Sequence, residues 1–484
     1  RLVAAPPSSI GKFGGDTDNW IWPRHTGDFS MFRVYASKDN RPAAYSPQNV
    51  PYRPKKHFSI STKGVKEGDF TMIYGFPGNT QEYILSDAVA YIAERSDPAK
   101  IAVRTGRLDI ITKAQESDPA LRIHYAAKHA SIANAWKKWQ GEALGIDRRG
   151  TVAAKFDYET QFGLWSVGRP EYAGVVMGLR AEYDRIMDAY FAYEITRETL
   201  STLPAAYTPE ERAEECFARR KFAEQALWRH AFREYGRCPK VYRTPSYAEG
   251  MARYKSPEAY ADTLFEAVWE GSDSVAMQPA VRLREETKRM LDHISWMLGT
   301  KSLRNLNSKI LNELYTTYIK GLREWDRERA FYPDANLTLR VAYGSVAGYE
   351  YADGEYHKPQ TTLDGIIAKD NPEIYDYDIP QSLRDLYASK NYGRWGTVID
   401  GRRTVPVCFL ATNHTTGGNS GSPVLNAGGE LIGINFDRTW RSTMSDIAFD
   451  PAICRNIAVD IRYVLFVVDR VGGAGYLLKE MTLK

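Results

Sequence analysis

The chain has 484 residues, of which 43% are hydrophobic and 12% aromatic, enough for two or three units with a substantial apolar core. Its 64 basic and 60 acidic residues leave a net charge of +4, and no basic run is interleaved with aromatics, so nucleic acid is excluded as an expected partner. No apolar run reaches bilayer length, Tyr463–Val468 having only the length of a strand, and no membrane span is expected.

Taken in chain order, residues 1–95 are rich in glycine, aromatics and short β-like runs. Asp28–Tyr35 has strand propensity, and Asp69–Phe76 reads as a strand entering a turn at Pro77 and Gly78. Residues 96–330 hold only 13 of the 37 glycines, and helical patterns dominate there. Ile132, Trp136 and Trp139 share one helical stripe, which turns Asn134 to the far side of that helix, either solvated or reaching into a cleft. Ile310, Leu311, Leu314, Tyr315, Tyr318 and Leu322 make a second stripe. After about Pro333 the β character returns, with Leu337–Val346 as the first strand. The pattern predicts a β domain interrupted by a large helical insertion, with a helical domain merely tethered in sequence as the alternative. Cys216, Cys238, Cys408 and Cys454 lie far apart without a C-x-x-C pair, so no metal site is expected and the redox compartment stays open. Arg1 runs into Leu2 and Val3 without an initiator Met, so the chain is expected to be a fragment and reveals no targeting signal.

One segment carries chemistry. Gly417-Gly418-Asn419-Ser420-Gly421-Ser422-Pro423 sets a serine between glycines on a loop, and the apolar runs Val424–Leu425 and Leu431–Ile434 continue it as a β-hairpin. This is how a chymotrypsin-like protease presents its nucleophile. Glycine permits backbone angles that other residues avoid, and the N–H groups of Gly418 and Ser420 can converge on a developing oxyanion. A serine nucleophile needs a base, and the base needs an orienting carboxylate. His25 and Asp28 are tempting, but three residues apart in an extended chain they are separated by about 10 Å and face opposite sides. His414 lies on the serine loop, where it is expected to buttress it. The remaining six histidines sit in no base-like context, so no internal histidine is predicted to serve.

Two longer segments, Gly11–Phe29 and Thr412–Pro423, resemble the dipeptidyl-peptidase family of serine exopeptidases from Gram-negative bacteria, and the likeness extends to the closing Tyr463–Val467 and Gly472–Tyr476. The resemblance implies an α+β protein, a chymotrypsin-like double β-barrel interrupted by an all-helical cap domain. The parts would be residues 1–95 (remainder of the first barrel), 96–330 (cap) and 331–484 (second barrel with the nucleophile). It implies Asp28 as the triad aspartate and Ser420 as the nucleophile, with the histidine on a segment upstream of Arg1. A solvated aspartate at a strand start is the plain alternative for Asp28. The resemblance further implies oligopeptide substrates, no cofactor, a homodimer and a periplasmic or cell-surface location.

An enzyme that removes two residues at a time must grip the free α-ammonium. The resemblance assigns this to Asp437, with Asn19, Trp20 and Asn134 around it, although a tryptophan at position 20 also reads as core. A carboxylate one hairpin beyond the serine loop suits an ammonium through charge-assisted hydrogen bonds. Arg438 is then the specificity residue: in the family an arginine here accompanies cleavage after Asp or Glu, and a guanidinium recognises a carboxylate bidentately. An ordinary ion pair with a neighbouring acid is the alternative. The rival functions are a glutamyl endopeptidase on the same fold and a catalytically inert peptide-binding fragment.

Overall fold

Alternating burial along Phe70–Gly75, with Thr71, Ile73 and Gly75 inward and Phe70 and Tyr74 outward, marks a strand with one face on a core. In the computed structural model, which describes residues 1–271, 274–300 and 306–484, this strand is second in a seven-stranded antiparallel sheet. The spatial order is Arg340–Ser345, Phe70–Gly75, Ser422–Leu425, Leu431–Arg438, Asn456–Asp460, Pro406–Ala411 and Gln360–Thr362. Register pairs Ile73 with Val424 and with Ala342, and Asn435 with Ser422 and with Ala458. Beyond the first strand, Val346 bridges to Ala411, and Thr412 N–H donates to Ser345 O at 2.9 Å. Val65, Ile73, Val346, Phe409, Val424, Ile432 and Ala458 form the core against the sheet. Gly433 admits the Phe409 ring, because a Cβ there would lie 2.7 Å from it.

This sheet belongs to a unit made of residues 1–82 and 333–484, while residues 83–332 form a second, helical unit. The chain is therefore of mixed α and β structure, as expected. Two closed barrels do not appear among the described residues: besides the seven-stranded sheet there are four two-stranded pieces. The strand expected over Asp28–Tyr35 is broken into Met31–Phe32 and Tyr35–Ala36, because each part pairs with a different segment, Leu2–Ala4 and Val50–Pro51. Leu2, Phe32, Val34 and Tyr45 stand exposed around these pieces.

Tyr463–Val468, strand-like in length, is helical instead. Asp460 caps the Ile461–Phe466 helix, accepting from Arg462 N–H at 2.9 Å. An apolar run buried on every side has no periodicity to separate helix from strand. The stripe ending at Leu322 lies on the Lys309–Trp325 helix, with Leu311, Tyr318 and Leu322 buried, but Ile310 is exposed and falls outside it. In the same unit Asp118 caps the 30-residue helix Pro119–Arg148, accepting from Ala120 N–H at 2.7 Å. That helix buries Leu121, Tyr125, Ile132 and Ala133 against Leu108 and Ile111 of its neighbour Asp97–Ser117. No helix among the described residues is long and apolar enough to cross a membrane.

Phe409 is wholly buried at the centre of the sheet's core. Phe409→Ala should lower unfolding free energy by about 3–5 kcal/mol, the scale of an unfilled aromatic cavity; denaturant titration of the two proteins measures the loss.

Candidate active site

The serine loop spans Thr412–Gly421 between two sheet strands, and glycine chemistry shapes it. Gly418 has φ +105, and a Cβ there would lie 2.3 Å from Phe76 O, so any side chain is excluded. Gly78 N–H donates to Gly417 O at 2.6 Å, docking the loop on the turn that ends Phe70–Gly75. The buried Asn419 side chain accepts from Thr416 N–H at 3.1 Å and closes the loop from within. Ser420 is left exposed, its hydroxyl donating to Phe436 O at 3.1 Å. Neither the Gly418 nor the Ser420 N–H has an acceptor among the described residues, so both are free to meet an oxyanion.

The next two residues after Phe436 carry opposite charge. Asp437 is paired with Arg24 at 2.7 Å and also accepts from Trp20 N–H at 3.2 Å and Arg438 N–H at 2.8 Å. Arg438 is 4% exposed and forks onto Asp446 at 2.6 and 2.8 Å. It also donates to Ser445 Oγ at 2.8 Å and Thr415 O at 3.2 Å. Each residue expected to bind substrate charge thus has an internal counter-ion. Trp20 lies 5.5 Å beneath the Arg438 guanidinium, and its φ of +68 is rare for so bulky a residue. Its carbonyl accepts from Trp440 N–H at 2.5 Å, so both of its backbone groups hold it at this spot.

Asp28 is exposed and takes no hydrogen bond among the described residues. Partial burial raises its pKa, and neighbouring Asp437 adds to the rise while Arg24 opposes it. Hence Ser420, Gly418, Asp28, Trp20, Asn19, Asp437 and Arg438 all belong to the β unit. Asn134 lies in the helical unit, exposed on the Pro119–Arg148 helix as its spacing predicts. Arg24 was not anticipated: it is 413 residues from its partner, and no local pattern marks it. Asp446, eight residues past Arg438, is the neighbouring acid of the alternative reading, an ion pair for Arg438.

None of the eight histidines is a hydrogen-bond partner of Ser420 or Asp28. His25 is buried beside Lys369 and Asp18, and burial holds its pKa down at about 4. His414 braces the loop: its Nε2 meets Ser445 O at 2.9 Å and its ring stacks on Phe449 at 4.5 Å. His57 meets Thr482 Oγ1, and His357 meets Glu355. His124, His129, His230 and His293 are in the helical unit. One trio there, His124, Glu214 and Cys216, has metal-ligand atoms within 4.8 Å of one another. Arg220 enters it, 2.6 Å from His124 Nε2 and 3.2 Å from Glu214, and supplies the positive charge itself.

A serine held exposed by glycines, with two unspent N–H groups beside it and charged residues on the adjoining strand, is an arrangement suited to a serine peptidase. The chain belongs to the Peptidase S46 family, whose profile matches residues 1–215 and 210–483. It is 42% identical to an Asp/Glu-specific dipeptidyl-peptidase of Capnocytophaga gingivalis, over 100% of this chain and 73% of that protein. It is 35% identical to dipeptidyl-peptidase 7 of Phocaeicola vulgatus, over 100% of this chain and 72% of that protein. Among solved structures, DPP11 of Porphyromonas endodontalis in complex with the dipeptide Arg-Glu is 34% identical with a TM-score of 0.84, covering 100% of this chain and 74% of that one.

Burial likewise lowers the His414 pKa to about 4 from its ordinary 6.5. A histidine kept neutral in the fold but free to charge when unfolded favours the unfolded chain as pH falls below 6.5. Stability is full above that value and is lost progressively towards pH 4, by about 1.4 kcal/mol for each pH unit crossed. His414→Gln should reduce the measured slope, to which buried His25 adds a like share, in denaturation at pH 7, 5.5 and 4; an equal slope in both proteins would show that His414 carries none of it.

Proposed function

We propose that this protein is a serine exopeptidase that releases dipeptides from the free N-terminus of peptides and prefers Asp or Glu as the second residue. The observation that carries it is one of adjacency. The Ser420 hydroxyl rests on Phe436 O, and the next two residues of that strand are an anion and a cation, Asp437 and Arg438. An exopeptidase with acidic specificity needs these two charges one dipeptide's length from its nucleophile. The activities named for the relatives agree: one is Asp/Glu-specific, and the solved DPP11 carries Arg-Glu.

Ser420 attacks the carbonyl of the second peptide bond, and the Gly418 and Ser420 N–H groups receive the oxyanion. Water then hydrolyses the acyl-enzyme and frees the dipeptide. Asp437, with Trp20 and Asn19 beside it, takes the α-ammonium, and Arg438 takes the acidic side chain. The role of Asn134 rests on the family resemblance. Asp28 orients the base, which comes from a segment outside these 484 residues. Two facts support that source: among the described residues Ser420 and Asp28 have no histidine partner, and Leu2, Phe32, Val34 and Tyr45 stand exposed around two-stranded pieces. On this reading residues 1–95 belong to a first barrel except for Phe70–Gly75, which lies in one sheet with the strands of the second barrel, 331–484, and residues 96–330 form the helical domain. Closure of the second is supported by the Val346–Ala411 bridge, which joins the first strand of the sheet to its sixth.

Three measurements test the reading. Arg438→Ala should cost about 2–5 kcal/mol in transition-state binding of substrates with Asp or Glu second, the scale for truncating one partner of a buried charge pair. A variant that still prefers Glu over Leu refutes the assignment. N-terminal acetylation of a Glu-containing peptide should nearly abolish cleavage, whereas a glutamyl endopeptidase would tolerate it. Activity of residues 1–484 alone should fall roughly 10⁴-fold or more below that of the protein with its upstream segment, the effect of losing the base; equal activity would place the base within this chain.

A further inference from the structure

The ion pair that ends the Leu431–Arg438 strand is more constrained than a specificity cation requires. Asp446 occupies the end of the guanidinium, with Oδ1 on Nη1 at 2.6 Å and Oδ2 on Nη2 at 2.8 Å. Nη1 is further tied to Ser445 Oγ at 2.8 Å and to Thr415 O, on the serine loop, at 3.2 Å. Asp446 is itself fixed from two sides. Its carbonyl accepts from Gln81 N–H at 2.6 Å, and the carbonyl of Ser445 before it accepts from His414 Nε2 at 2.9 Å. It closes the helical turn Trp440–Asp446, whose first N–H is bound by Trp20. The Trp20 ring then covers one face of the guanidinium at 5.5 Å.

These contacts set the plane of the Arg438 fork. A guanidinium is rigid, but the side chain that carries it is long, and bidentate recognition of a carboxylate fails when the plane is wrong. An end-on fork to Asp446 fixes the direction of the guanidinium's other edge, whose Nε is buried. The pairing also brings the local charge to about zero. A substrate carboxylate is then selected by direction and not by a bare cation, which would draw any anion.

We infer that Asp446 is a specificity-positioning residue: it holds the Arg438 guanidinium in the plane that an acidic substrate side chain must meet. This rests on the assignment of Arg438 to the acidic side chain. Asp446 does not touch the reacting atoms and acts through Arg438.

The test uses the full-length protein and two dipeptide probes, Arg-Glu and Arg-Leu, with affinities from calorimetry. Asp446→Ala should lower the Arg-Glu to Arg-Leu affinity ratio about tenfold. Asp446→Asn, which keeps the shape and one oxygen acceptor, should lower it by less than Ala does. In an Arg438→Ala background, Asp446→Asn should leave the ratio within twofold, because the partner through which it acts is gone. A fall of less than threefold in the Ala variant, or any rise, overturns the inference; a rise would mean that Asp446 competes with substrate for the cation. Should the Ala variant not fold, Asp446→Asn alone decides, with a ratio unchanged within twofold overturning the inference. The two levels separate cleanly. If Arg438→Ala itself keeps the Glu preference, the specificity reading fails. If Arg438→Ala loses the preference while Asp446 variants keep it, only the role of Asp446 fails.

Discussion

Charge pairing at the end of one strand organises the β unit around the Ser420 loop. Asp437 and Arg438 are consecutive, so in an extended strand their side chains leave opposite faces. Arg24 meets the first and Asp446 the second, each at a distance of 2.6–2.7 Å. Both pairs are largely buried, and a buried ion survives only with a partner and further hydrogen bonds. Those bonds run to Trp20, Ser445 and Thr415, which belong to the N-terminal motif, the helical turn and the serine loop. The ion pairs therefore tie the N-terminal motif to the loop and the turn that flank this strand, and they hold the loop that carries Ser420.

The serine loop shows how local conformation and tertiary packing are divided. Glycine at 418 is needed because the backbone there is left-handed and lies against Phe76 O. That carbonyl is presented by the Phe70–Gly75 strand and the turn after it, held in register by Ile73 against Val424. The hydroxyl of Ser420 faces solvent because Asn419 beside it turns inward and takes the polar burial. A loop with its side chains inverted would bury Ser420 and expose the brace.

The helical unit solves a separate problem. The helices Pro119–Arg148, Pro257–Glu270 and Lys309–Trp325 start at side-chain caps, Asp118, Ser256 and Ser308, and one core of the unit is built mainly of aliphatic and small residues around Tyr125. Buried charges in it sit beside opposite ones, as where Lys100 lies between Asp97 and Glu194. His124, Glu214 and Arg220 follow the same rule, the arginine completing a cluster whose donor atoms would otherwise suit a metal.

Much of the candidate site was legible along the chain, since a serine between glycines on a β-hairpin is a local pattern, as is a helical face that turns Asn134 outward. The helical middle and the β-rich ends were equally plain, because hydrophobic period and glycine content are local properties. What the chain order could not reveal were relations set by packing. Tyr463–Val468 became a helix because it is buried on all sides and capped by Asp460, while Asp28–Tyr35 broke because its halves found different partners. The counter-ions of Asp437 and Arg438 belong to this second class: only the folded sheet brings Arg24 and the 440–446 turn beside them, since desolvation of a charge, and hence its need for a partner, exists only once the chain has closed around it.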